Sequence, residues 1–81
     1  MKGIVQGLSR NKVRAAVRTE YGYTVIDIEF GEVSHGDILT GNLDDHGDQQ
    51  LMNQTSGQTI SVYTEAIQAS KSAAESLLRC I

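Results

Sequence analysis

Three groups of residues in this 81-residue chain have types and spacing that could do chemistry. Ser34, His35 and Asp37 supply a nucleophile, a base and an acid within four positions, the set an acyl-transfer hydrolase uses. Members of such a triad normally converge from separate elements, and neighbours on one loop rarely aim at one another. Asp44, Asp45, His46, Gly47 and Asp48 offer oxygens and an imidazole to a metal. Counted from Asp44, however, the twelfth position of a calcium loop falls on Thr55, so the closing bidentate glutamate is absent. A solvated hairpin tip without metal is the expected state. The triplet His-Gly-Asp occurs at 35–37 and again at 46–48, and reads as two turn signals entering strands.

The third group is basic. Lys2, Arg10, Lys12, Arg14 and Arg18 all precede the first acidic residue, Glu20. Residues 1–18 carry +5, residues 19–70 carry −9 and residues 71–81 carry +1. Lys2, Arg10, Lys12 and Arg14 are the candidates for tracking a phosphate backbone, with Tyr21 and Tyr23 as faces on which bases stack. The competing reading is electrostatic neutralisation between strands. The whole chain is acidic, with pI ≈ 5.1, whereas nucleic-acid-binding domains are usually basic.

Length and composition limit the options. A chain this short forms one domain, 1–81, with a thin core that gains from shared burial. Hydrophobic residues make up 40%, too many for a disordered tail. Cys80 is the single cysteine, so no intramolecular disulfide forms, and no histidine lies near it in sequence. The first residues lack the apolar run of a signal peptide, and no stretch is long and apolar enough to span a membrane. The expected setting is cytoplasmic, without cofactors.

Period-two alternation dominates the first three quarters and predicts strands. These lie over Lys2–Leu8, Lys12–Glu20, Tyr23–Phe30, Asp37–Leu43, Gln50–Gln54 and Thr59–Tyr63. A two-residue loop at Tyr21-Gly22 pairs Val17 with Ile26, Ala15 with Ile28 and Val13 with Phe30 on the inner face. Arg14 then faces Glu29 outside, and Arg18 lies diagonal to Asp27. In that register Phe30 is a core residue whose truncation costs about 3–5 kcal/mol. A last hairpin around Ser56-Gly57 sets Leu51 opposite Val62 and Asn53 opposite Ile60. After Tyr63 the spacing of Ala73, Ala74, Leu77, Leu78 and Ile81 marks an amphipathic helix. Ser72 with Glu75 has capping-box form, while Thr64 or Ser70 could cap an earlier start.

Lys2-Gly3-Ile4-Val5 followed by a three-strand meander resembles the opening of OB-type barrels, the cold-shock and S1 domains, over roughly the first half of the chain. That resemblance implies single-strand binding through outward aromatics of the second and third strands. Here those positions hold Arg14, Ala16, Arg18, Val25, Asp27 and Glu29, so no binding residues carry over. The helix usual between the third and fourth strands has no room in 31–36. Thr19-Glu20-Tyr21-Gly22, Gly36-Asp37-Ile38-Leu39 and Leu51-Met52-Asn53-Gln54-Thr55 are similar to segments of short bacterial proteins of unassigned function.

The expected object is therefore a small all-β barrel of five or six strands, OB-like or SH3-like, with a C-terminal helix. The expected function is a non-enzymatic binding module acting on another protein or on its own copy as an oligomer. Ala74, Leu77, Leu78 and Ile81 are the interface candidates. Weak single-stranded nucleic-acid binding through Lys2, Arg10, Lys12 and Arg14 is the alternative. A small hydrolase comes third.

Overall fold

Strands with one apolar face must remove that face from water, and a sheet that closes on itself buries every such face at once. The computed structural model, which describes residues 1–79, reaches this solution with six strands and one helix. The strands are β1 (Lys2–Leu8), β2 (Arg14–Thr19), β3 (Gly22–Phe30), β4 (Ile38–Gly41), β5 (Gly47–Asn53) and β6 (Gln58–Ala69). The helix, α1, is Lys71–Arg79. The barrel closes in the order β1-β2-β3-β6-β5-β4, and every neighbouring pair is antiparallel.

The interior holds Val5, Ala15, Val17, Ile26, Leu39, Leu51, Ile60 and Val62. Val33, from the segment between β3 and β4, joins them at one end of the barrel, and Leu43, just after β4, at the other. The hydroxyl of Thr24 donates to the Leu43 carbonyl at 2.7 Å and ties that end to β3. Gly3 faces inward where a Cβ would lie 2.5 Å from Val17 Cγ1 and 3.0 Å from the Arg18 carbonyl oxygen. Only glycine fits there.

Both expected hairpins form with the expected faces and a register displaced by two residues. In the first, Ala15 pairs with Ile26, Val17 with Thr24 and Arg14 with Asp27. In the second, Leu51 pairs with Ile60 and Asn53 with Gln58. The first turn is Glu20-Tyr21, with Gly22 already paired to Thr19. Thr19 sets it: its Oγ1 accepts from the Tyr21 amide at 3.1 Å and donates to the Gly22 carbonyl at 2.9 Å. Asn53 performs the same service in the second hairpin, its Oδ1 accepting from the Thr55 and Ser56 amides at 3.1 and 3.2 Å.

The expected Val13–Phe30 core pair does not form. A register irregularity between Ile28 and Phe30 sets Ile28 opposite Val62 but Phe30 opposite Ser61. Phe30 thereby turns outward and is 72% exposed. The barrel mouth has no room for it, because Val33 fills that end and Gly31, at φ +101, packs so closely on Ile60 that a Cβ would lie 2.7 Å from Ile60 Cγ2.

The last strand runs on to Ala69, well beyond Tyr63. Ser70 then caps α1, its Oγ accepting from the Ala73 amide at 3.1 Å. The helix lies on the outside of the barrel over Ala16 and Val25, with Tyr23 and Ala66 at the edges of the contact. Ala74 is 1% exposed in this second cluster, and Leu77 and Leu78 pack beside it. Of the stripe expected to serve an oligomer, Ala74 is buried against its own barrel and Leu77 and Leu78 are partly buried beside it, where the small outward residues Ala16 and Gly7 let the helix approach closely. Ile81 and Cys80 lie outside the described residues.

Candidate functional site

The outer face of β3, β6 and β5 carries one kind of charge. Asp27 on β3 pairs with Tyr63 on β6, and Tyr63 pairs with Asp48 on β5. Glu29 stands in the bulge before Phe30, and Glu65 lies two residues along from Tyr63. Four carboxylates therefore surround Tyr63, which is 42% exposed, with Phe30 diagonal to it across the strand pair. Glu29, Asp48, Gln50 and Ser61 line a shallow recess of about 270 Å³ on this face.

The carboxylates meet in pairs. Partial loss of solvent and the adjoining Asp48 carboxyl hold Glu29 above the ordinary glutamate range. Glu65 is also raised, chiefly by the adjoining Asp27 carboxyl. Asp27 is held below its ordinary range by the Arg14 guanidinium, which donates to both its oxygens, Nε to Oδ1 and Nη2 to Oδ2 at 3.1 Å. Arg14 Nη1 also donates to the Leu77 carbonyl at 3.1 Å. One side chain thus joins β2, β3 and the last turn of α1, where a cation is favoured by the helix dipole.

The sequence-derived candidates fall elsewhere. Arg14 is committed to Asp27 rather than to Glu29, as the shifted register requires. Lys2 begins β1, while Arg10 and Lys12 lie in the loop that follows it, about 20 Å away along a strand of seven residues. The candidates are thus spread along β1, and Arg14 among them is engaged with Asp27. Arg18 stands between Ile4 on β1 and Tyr23 on β3.

Ser34, His35 and Asp37 lie on one turn, but their hydrogen bonds serve the fold. Asp37 Oδ2 accepts from the Ser34 amide and from Asn53 Nδ2, both at 2.8 Å, and neither bond involves His35. His46 lies between β4 and β5, at the opposite end of the barrel from His35. Around it, Asp45 accepts from Asn42 Nδ2 at 2.7 Å and Asp44 from Gln68 Nε2 at 3.2 Å, so these carboxylates hold the loop. Among the described residues no three metal-ligating side chains converge, and no helix is long and apolar enough to cross a membrane.

Sequence reasoning missed the acidic face. Its members are scattered over three strands, and the outward turn of Phe30 depends on a bulge that alternation conceals. The signal that could have found it was the parity of Asp27, Glu29, Asp48 and Glu65 once the pairing of β6 with β3 on one side and β5 on the other is known. No protein-family model, no curated protein and no solved structure matches the chain.

Proposed function

We propose that the domain is a non-enzymatic protein-binding module. Its ligand is a protein surface that presents lysine or arginine beside apolar side chains. One observation carries this reading: exposed Phe30 and Tyr63 stand among Asp27, Glu29, Asp48 and Glu65 on a single sheet face. Glu29, Asp48 and Glu65 gather on this face with no basic residue on β3, β5 or β6, and the fold gains nothing from exposing a phenylalanine. A cationic partner relieves the repulsion, and its apolar groups cover the rings, where a cation can also sit against an aromatic face. The single cysteine fits a reducing, cytoplasmic setting.

A fluorescence anisotropy titration tests this with a short labelled peptide of alternating lysine and leucine. The expected result is saturable binding at low salt that weakens as salt rises and is lost in Phe30→Ser combined with Glu29→Ser. Absence of binding to the wild-type domain contradicts the reading. A labelled single-stranded oligonucleotide serves as the second arm. Saturable oligonucleotide binding that Arg10→Glu and Lys12→Glu abolish would transfer the function to the basic residues.

A further inference from the structure

The acidic face has a counterpart on the same molecule. In the closed order β1 lies three places from β6 in either direction, so the outer surface around β1 points away from that around β6. There Ile4, 40% exposed, stands directly between Arg18 on β2 and Ile38 on β4. Lys2, Ile4 and Arg18 share a recess of about 450 Å³ with Glu20 at its rim. This surface presents two cations around aliphatic side chains, the chemistry that the acidic face with Phe30 and Tyr63 would accept.

We infer that the partner of the acidic face is the Lys2–Ile4–Arg18 face of a second copy of this chain, so that copies associate head to tail. This inference rests on the protein-binding reading above and names its partner. Two arguments carry it. Charge is complementary between the faces, and a two-fold contact made by either face with itself sets like charges together, Glu29, Asp48 and Glu65 on one and Lys2 and Arg18 on the other. The faces also point in opposite directions, so two rigid copies satisfy only one contact, and each copy keeps a free acidic face and a free basic face. Such a heterologous contact continues into rings or chains rather than stopping at a dimer.

Two variants silence one face each through exposed residues: Ile4→Ser with Arg18→Ser, and Phe30→Ser with Glu29→Ser. Circular dichroism checks that both remain folded. In sedimentation velocity at low salt, the wild-type chain is expected to sediment faster with rising concentration, past the dimer. Each variant alone is expected to remain monomeric, and an equimolar mixture to form one-to-one dimers and nothing larger, because each component supplies the face the other lacks. Association of either variant to the wild-type extent, or a mixture that stays monomeric while wild type assembles, overturns the head-to-tail contact. A wild-type chain that stays monomeric at high micromolar concentration overturns self-recognition. Peptide binding at the acidic face would then still stand as a separate result, so the two failures are distinguishable.

Discussion

The Arg14 guanidinium joins β2, β3 and α1. It grips both oxygens of Asp27 and the Leu77 carbonyl from a half-buried position. Arg14→Ala is expected to destabilise the domain by about 1.5–3 kcal/mol, the range for hydrogen bonds to charged groups, and to fray the end of α1. Urea unfolding followed by far-ultraviolet circular dichroism reads both effects. The carboxylates around it give stability a defined pH dependence. Asp27 has its folded-state pKa lowered, so its contribution is present above the unfolded aspartate value and disappears as pH falls through the lowered one. Glu29 and Glu65 have theirs raised, so they oppose folding at neutral pH and cease to do so as pH falls through the raised values. Melting temperature should therefore rise from neutral to mildly acidic pH and fall below the ordinary aspartate range. Glu29→Gln with Glu65→Gln should flatten the upper limb, and a monotonic fall from neutral pH would contradict the assignment. Thr64 is a different case: its Oγ1 is buried with no hydrogen-bond partner among the described residues. Thr64→Val should be neutral or stabilise by about 1 kcal/mol in the same unfolding experiment, because it removes an unsatisfied hydroxyl at nearly constant volume.

At the level of strands and helix, the two hairpins show what alternation can and cannot determine. A slip of one residue exchanges core and solvent faces, so burial forbids it. A slip of two preserves every face, so Val17 against Ile26 and Val17 against Thr24 satisfy the same apolar pattern. Turn chemistry decides between them, through Thr19 in one hairpin and Asn53 in the other. A small barrel of five or six strands, its terminal helix and inward residues such as Ala15, Val17, Ile26, Leu51, Ile60 and Val62 were legible from period and spacing. The extension of β6 to Ala69 was not, because irregularities opposite Tyr23, Val25 and Ile26 break its alternation. The same cause hid Phe30. Its truncation to alanine, the large loss expected of a core residue, should instead change stability by less than about 0.5 kcal/mol, as for other exposed positions. Gly3→Ala should do the opposite, costing about 1–3 kcal/mol by overpacking against Val17 and the Arg18 carbonyl. Thermal melts of the two variants side by side check this inversion, and a Phe30→Ala loss exceeding that of Gly3→Ala would contradict the bulge.

For the molecule as a whole, the segregation of charge along the sequence becomes a segregation across the barrel. The early basic block supplies the surface around β1, apart from Arg14, and the later strands supply the acidic surface around β6. In the proposed contact such complementary fields speed encounter and set orientation, while the exposed rings and aliphatic groups supply the buried area. The proposed contact does not use the helix, whose Ala74 is buried against Ala16 and Val25. Backbone amide chemical shifts of isotope-labelled wild-type chain, recorded over a dilution series at low salt, separate these roles in one experiment. The account predicts concentration-dependent shifts in two patches, one at Ile4, Arg18 and Ile38 and the other at Phe30, Asp48 and Tyr63, with Ala74 to Leu78 unmoved. Shifts confined to the helix, or to one patch alone, would contradict it.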